Sequence, residues 1–286
     1  MISNPAILFS GQGAQRRGMD VSVLETYSEL LAIAEEISGF SIRDFFIRCP
    51  PEQFSYTRYV QPALYTLNAL YYRHYLEGGG MPPIYLAGHS LGEFNALQAA
   101  GVFDFEAGLR LVNKRALLMS ESQGGGMAAV MGLNADEVLN VITKNGHLGL
   151  SLANLNSDIQ TVISGPIASI HLAESIFYDN DALNYVILNV SGAFHSPMLD
   201  IAAEKFYDYV QGFSFSPPKI PVIANGTAKP YSHTSLAKNL ANQMNNPVRW
   251  RESVIYIRQH GVAEFIEIGD NCSILLDMIK NIEINV

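Results

Sequence analysis

The stretch PIYLAGHSLGEFNAL, residues 83–97, constrains the fold more than any other part of the chain. PIYLAG is an apolar run of the length of a buried strand, and a helix-compatible segment begins directly after Ser90. A strand that becomes a helix within two or three residues forces its turn into strained backbone angles, where flanking side chains collide. Gly88 and Gly92 carry no such side chains. The same turn lifts the Ser90 hydroxyl out of the sheet. It also aims the first N–H groups of the next helix at one spot, where negative charge is stabilised. G-x-S-x-G is the pattern of a nucleophile elbow, but five residues alone also fit a strand–helix turn with an inert serine.

Other segments continue an alternation of buried strands and helices, which argues for an α/β fold with a parallel sheet. AILFS stops at Gly11 and reads as a strand. VLETYSELLAIAEEI reads as helical, with Leu24, Tyr27, Leu31 and Ala34 on its apolar positions. A long helix is expected from Gln61, with Pro62 in its first turn, and the glycines at 78–80 end it. A second glycine triplet, 124–126, reads as a hinge. From Met127 the pattern is strand MAAVMGL, helix ADEVLNVITKN, strand LGLSLAN, strand IQTVISG, helix IASIHLAESIFYD and strand NYVILNV. That β-α-β-β-α-β order is the ferredoxin-like arrangement. The expected organisation is a larger subdomain of residues 1–126 and 191–286, with a ferredoxin-like insert at 127–190. IPVIAN and EFIEIG supply two more strands to the larger part.

Composition narrows the function classes. The 286 residues are 48% hydrophobic and only 16% charged, which suits a large buried core and no long disordered tract. A net charge of -9 argues against nucleic-acid binding, and any acidic partner then needs a local basic patch. Cys49 and Cys272 are expected as reduced thiols. The N-terminus lacks a basic signal-peptide region and no apolar run is long enough to cross a bilayer, so a soluble cytoplasmic protein is expected. No spacing of Cys, His and carboxylates suggests a metal site.

A serine needs a base to be nucleophilic at neutral pH. Of seven histidines, His195 in SGAFHSPM is the best placed, because it follows the last strand of the insert where the chain re-enters the larger part. His89 adjoins Ser90, but neighbouring side chains at such a turn diverge. In DFEAGLRLVNKRALLMSES, Phe105, Leu109, Val112, Ala116 and Met119 recur at helical spacing, and Arg115 shares a face with Leu111 and Leu118. A half-buried arginine needs an anion; the plainer alternative is a surface salt bridge to Glu121 or Asp104.

Six blocks in order carry a resemblance: FSGQGAQRRGM, TRYVQPALYTLNAL, AGHSLGEFNALQAAGVFDFEAGLRLVNKRALLM, ANLNSDIQTVISGP, SGAFHSPM and QMNNPVRW. Together they resemble the malonyl-CoA:acyl-carrier-protein transacylases, from about Ala6 to the last strand. GEFNAL and GVFDFE are most similar to the free-standing acyltransferases that serve polyketide synthases in trans. The resemblance implies an α/β-hydrolase-like large subdomain with a ferredoxin-like insert, and ping-pong transfer through an ester on Ser90 with His195 as base. It implies that the main-chain carbonyl of Gln243 orients the imidazole, and that Leu91 N–H and a donor from Gln12 form the oxyanion hole. Arg115 becomes the clamp for the free carboxylate of malonate, and Phe194 fills the room that an α-methyl group needs. Asn154 and Asn156 at the end of a strand, Gln61 and His89 are further substrate-binding candidates. Malonyl-CoA is then the donor, a carrier protein supplies the phosphopantetheine thiol, no bound cofactor is needed, and a monomer is expected.

Three positions depart from the family pattern: Ser10 stands for proline in FSGQG, Ala116 follows the clamp arginine in place of glycine, and GDN at 269–271 replaces GPG. An acyl hydrolase using the same Ser90 and His195, and a non-catalytic carrier-protein docking module, are the competing readings. Docking of an acidic carrier protein would need clustered cations, for which Arg16, Arg17, Lys205, Lys219, Arg249 and Arg251 are the candidates.

Overall fold

The computed structural model of the chain describes residues 4–16, 18–50, 52–270 and 273–283. In chain order its helices and strands are β1 (Ala6–Phe9), α1 (Ser22–Thr26), α2 (Ser28–Ser38), α3 (Ile42–Arg48), α4 (Thr57–Glu77), β2 (Tyr85–Gly88), α5 (Gly92–Ala99), α6 (Phe105–Ser120), β3 (Gly125–Met131) and α7 (Ala135–Lys144). They continue with β4 (Ser151–Ser157), β5 (Gln160–Pro166), α8 (Ile167–Tyr178), β6 (Asn184–Ile187), α9 (Asp200–Val210), β7 (Val222–Ile223), α10 (Leu236–Asn242), α11 (Trp250–Gln259), β8 (Phe265–Ile268) and α12 (Ile274–Lys280).

Four of the strands form a parallel sheet in the order β7-β2-β1-β8. Successive side chains of a strand point to opposite faces. Ile7, Phe9 and Leu86 therefore join one core with α4, α5 and α6, while Ala6, Leu8 and Ala87 join another with Trp250, Val254 and Ile257 of α11. Burial on both faces explains why β1 and β2 read as unbroken apolar runs and not as alternating ones. The other four strands form an antiparallel sheet in the order β4-β5-β3-β6, the strand order of the ferredoxin-like arrangement. One face packs Ala128, Val130 and Ile163 against Val138 of α7 and Ile170 and Phe177 of α8. The opposite face sends Met127, Ala129 and Val162 into the core of the parallel-sheet half. The expected α/β class, with its parallel sheet and its antiparallel ferredoxin-like sheet, is what the chain forms.

Several local expectations are corrected. The long helix starts at Thr57, so Pro62 lies in its second turn and not its first. Proline removes the bond to the Arg58 carbonyl, but Val60, Ala63, Leu64 and Leu67 are buried around it and hold the helix through the defect. The helical segment after β1 is broken at Tyr27, whose hydroxyl bonds Glu77 of α4 at 2.6 Å. Two of the glycines at 124–126 belong to a strand: β3 begins at Gly125, where a Cβ would lie 2.3 Å from the Ala193 nitrogen, and at Gly126 it would lie 2.5 Å from the Ile167 side chain, while Gly124 precedes it at φ 75° in open space. Strand β4 starts at Ser151 and runs to Ser157, so Asn154 and Asn156 lie within it and not at its end. Strand β6 stops at Ile187, short of the expected Val190.

The turn between β2 and α5 is as tight as its glycines require. A Cβ on Gly88 would lie 1.9 Å from the Gly92 carbonyl carbon, and one on Gly92 would lie 2.0 Å from the Phe9 carbonyl oxygen. Both obstacles are main chain of packed elements and cannot swing aside. Gly92→Ala is therefore expected to lower the unfolding free energy by about 2 kcal/mol or more, the upper part of the range for overpacking. Urea unfolding of wild type and variant measures the difference.

Candidate active site

Ser90 sits at φ 52°, in the left-handed region that disfavours any residue with a side chain. The turn is held from both sides. Ser90 N–H donates to Asn225 Oδ1 at 2.7 Å, the Ser90 carbonyl accepts from Gln243 Nε2 at 2.6 Å, and Asn225 Nδ2 donates to the Gly88 carbonyl at 2.7 Å. Holding a residue in such a conformation costs of order 1–3 kcal/mol, which these bonds and the surrounding packing offset. The result is a serine hydroxyl presented above the parallel sheet, beside the start of α5.

His195 arrives from the other direction and is strained as well, at φ 59°. Its main-chain N–H donates to the Met244 carbonyl at 3.0 Å, and Nδ1 lies 2.7 Å from the Gln243 carbonyl. A carbonyl can only accept, so Nδ1 carries the proton and the Nε2 lone pair faces outward. Nε2 lies 2.8 Å from Ser90 Oγ. Gln243 directly follows α10, and the last carbonyls of a helix lack partners within it, which leaves this one to orient the imidazole. Burial holds the imidazole pKa at about 3, aided by the nearby Arg115 charge and opposed by the Gln243 hydrogen bond. His195 is therefore a neutral imidazole with its free nitrogen against a hydroxyl, the arrangement of a base and its proton donor.

Arg115 lies on α6, which Asp104 caps through the Ala107 N–H at 2.8 Å. The helix turns Leu111, Arg115 and Leu118 inward together. Arg115 is only 1% exposed, more deeply buried than the half-buried residue expected, and it makes no salt bridge to Glu121 or Asp104. Nη1 donates to Gln61 Oε1 at 2.6 Å; Nη2 donates to Gln243 Oε1 at 2.7 Å and to Ser90 Oγ at 3.1 Å. All three acceptors are neutral, and Nε has no partner. Burial lowers the Arg115 pKa to about 10, and Glu93 opposes this, so the guanidinium stays charged at neutral pH.

These groups surround a cleft of about 90 Å³, which Gln12, Gln61, His89, Leu91, Asn154 and Phe194 also line. Liquid water would fill that space with about three molecules, so it suits a short acyl unit. Among the described residues, neither Leu91 N–H nor Gln12 N–H donates to a protein acceptor. Ser10 is buried and Asn68 holds its carbonyl at 3.0 Å, so the loop before Gln12 is tied down despite the missing proline. His89 diverges from Ser90 as expected, with Nε2 2.9 Å from Asn156 Oδ1, and burial lowers its pKa. Asn156 thus contacts His89 and does not line the cleft, whereas Asn154 does. Of the expected docking cations, Arg16 pairs with Asp270 at 2.8 Å, Arg249 with Glu252 and Arg251 with Asp158. Arg17, Cys272 and Asn271 of the 269–271 turn lie outside the described residues. Among the described residues no cluster of His, Cys, Asp and Glu could hold a metal ion, and no helix is long and apolar enough to cross a membrane.

Two residues that sequence reasoning missed complete the site. Asn225 follows β7, and Glu93 is a carboxyl 0% exposed on the first turn of α5. A carboxyl directly after the GHSLG turn is the only sequence signal for Glu93; a strand-end asparagine gives none.

A model of the acyl transferase domain matches residues 7–281. The chain belongs to the acyl transferase domain family. Among relatives of this acyl transferase, the polyketide biosynthesis malonyl CoA-acyl carrier protein transacylase PksC of Bacillus subtilis (strain 168) is 44% identical over 278 residues, covering 96% of each chain. A malonyl CoA-acyl carrier protein transacylase from Burkholderia pseudomallei shares 40% identity with a TM-score of 0.91, over 97% of each chain. A type II PKS acyl-carrier protein in complex with its malonyl-transacylase gives a TM-score of 0.92 at 32% identity, over 98% of this chain and 93% of that one.

The His195 environment makes a pH prediction. Its folded-state pKa of about 3 lies below the unfolded value of 6.5, so the unfolded chain binds the extra proton between those values. The stability tied to this residue is fully present above pH 6.5 and is lost as pH falls toward 3, by up to about 1.4 kcal/mol per pH unit. Urea unfolding of His195→Ala is expected to fall less steeply with acid than that of the wild type over this window. Histidine ¹⁵N NMR of the native protein at pH 5 should show His195 still neutral and protonated on Nδ1.

Proposed function

We propose that this acyl transferase moves a malonyl group from malonyl-CoA to the phosphopantetheine thiol of an acyl carrier protein, through an ester on Ser90 and in trans for a polyketide synthase. The observation that carries the reading is the buried Arg115 cation, bonded to neutral oxygens alone and 3.1 Å from the Ser90 hydroxyl. A charge so placed calls for an anionic group on the substrate, and a planar guanidinium holds a carboxylate with two parallel hydrogen bonds. A malonyl thioester presents its carboxylate two carbons from the carbonyl that Ser90 must attack.

In the first half-reaction Ser90 Oγ attacks the thioester carbonyl while His195 Nε2 takes the hydroxyl proton. The tetrahedral oxyanion accepts hydrogen bonds from Leu91 N–H and a Gln12 donor; losing one such donor costs roughly 3–4 kcal/mol of transition-state stabilisation. The intermediate collapses by breaking the C–S bond, and the CoA thiolate takes the proton from His195. In the second half the carrier-protein thiol gives its proton to His195 and attacks the ester, and Ser90 recovers its own. The imidazole, held well below its usual basicity, gains proton affinity when the malonate carboxylate offsets the Arg115 charge beside it. Malonate thereby helps to switch on its own base.

The cleft size and Phe194, 5% exposed, favour malonyl over α-branched units, although a single methyl is worth only about 1–3 kcal/mol. We infer the division of labour from the same reading: residues 1–126 and 191–286 carry the reacting groups, and the insert 127–190 closes over them. No bound cofactor enters any step, and one copy of the chain supplies every group named.

Intact-protein mass spectrometry after adding malonyl-CoA, and then carrier protein, tests the proposal. A malonyl adduct on Ser90 that moves to the pantetheine arm is expected; an adduct that disappears equally fast in buffer alone replaces transfer with hydrolysis. Arg115→Ala should reduce the malonyl-over-acetyl preference by about 10- to 100-fold, the loss of one or two charge-assisted hydrogen bonds. An unchanged preference measured with the two CoA thioesters would remove Arg115 from the clamp.

A further inference from the structure

Glu93 takes no part in the reaction as written, yet it is 0% exposed and lies one helical turn from Ser90. Burying a carboxyl costs several kcal/mol unless its oxygens are satisfied. Both are. Oε1 accepts the main-chain N–H of Asn225 at 2.8 Å, and Oε2 accepts Gln243 Nε2 at 2.6 Å. Among the described residues no lysine or arginine pairs with it directly; Arg115 acts on it through space, and the Tyr231 hydroxyl lies beside it.

Its two partners are the residues on which the whole site rests. Asn225 holds Ser90 N–H and the Gly88 carbonyl. Gln243 holds the Ser90 carbonyl, the Arg115 guanidinium and, through its main chain, His195 Nδ1. The side-chain amide of Gln243 has two possible orientations, and Glu93 selects one. An ionised carboxylate only accepts, so it draws the NH₂ end toward itself and leaves Oε1 facing Arg115. The flipped amide would set oxygen against carboxylate and NH₂ against guanidinium, two repulsive contacts at once.

We propose that Glu93 is a positioning residue for the transfer: through the Gln243 amide and Asn225 it holds the Arg115 guanidinium in register with Ser90. This rests on the malonyl-transfer reading of the site. Burial pushes the Glu93 pKa up to about 7, with the Asn225 and Gln243 hydrogen bonds and the Arg115 charge opposing. At pH 8 the carboxylate is the main form.

The test compares wild type, Glu93→Gln and Glu93→Asp at pH 8. Glutamine has one acceptor oxygen for two donors, so either Asn225 or Gln243 loses its partner. Aspartate keeps the charge but is one methylene too short to reach both. For Glu93→Gln a 10- to 100-fold fall in kcat for malonyl transfer is expected, with a reduced malonyl-over-acetyl ratio and shifted Arg115 guanidinium and Gln243 side-chain amide signals in ¹⁵N NMR; Glu93→Asp should lie between. A folded Glu93→Gln that keeps the wild-type acyl ratio and the wild-type Arg115 guanidinium signals overturns the proposal, whatever its kcat. Failure of both variants to fold also overturns it, in favour of a purely structural carboxyl. A wild type that moves no malonyl defeats the transfer reading instead, and the Arg115 guanidinium signals in Glu93→Gln still decide the role of Glu93.

Discussion

Everything in the site depends on how closely two main-chain segments approach where β2 becomes α5. With Gly92 packed on the Phe9 carbonyl and Gly88 packed on Gly92, only a residue without Cβ fits at either place. That contact drives Ser90 into the left-handed region and fixes where its hydroxyl points. It also places the start of α5 beside the hydroxyl, where the N–H groups of the first turn lack helical partners. The strain at Ser90 and at His195 is local, and the burial of a parallel sheet on both faces compensates for it elsewhere.

The electrostatics of the site follow from burial more than from pairing. Arg115, Glu93 and His195 are all nearly inaccessible, and no two of them form a direct ion pair. Neutral amides stand between the charges: Gln243 between Glu93 and Arg115, and Gln61 on the far side of the guanidinium. A direct Glu–Arg pair would satisfy the arginine within the protein. An amide bridge leaves its charge without a directly bonded carboxylate while still giving both Glu93 and the Arg115 Nη2 a hydrogen-bond partner. Burial, and after it the Arg115 charge, depress the His195 imidazole.

Most of the strands and helices were legible in the sequence because apolar periodicity reports which faces are buried. The antiparallel half was read in its order of elements, and the glycine requirement at Ser90 was read from sterics alone. Errors fell where tertiary contacts override local rules. Pro62 sits a turn deeper in α4 than a first-turn rule places it, because packing carries the helix past the missing bond. The 124–126 triplet reads as a hinge, whereas Gly125 and Gly126 lie in β3, crowded by Ala193 and Ile167. In the site, Ser90 and its turn were recognisable from their own residues, but the pairing with His195 and the clamp role of Arg115 rested on the resemblance. Glu93 and Asn225 went unrecognised because nothing local distinguishes a buried hydrogen-bonding carboxyl or amide from an ordinary helix or loop residue.

By itself the sequence determined the alternation of elements, the strained serine turn and the inward face of α6, since each depends on residues within a few positions of one another. Tertiary structure alone decided that Nε2 of His195 reaches Ser90 at 2.8 Å, that Arg115 is buried without a carboxylate bonded to it, and that one glutamine joins them. Those contacts span up to 128 residues of chain, from Arg115 to Gln243. They are set by the packing of two sheets and their helices, a global balance that no local pattern encodes.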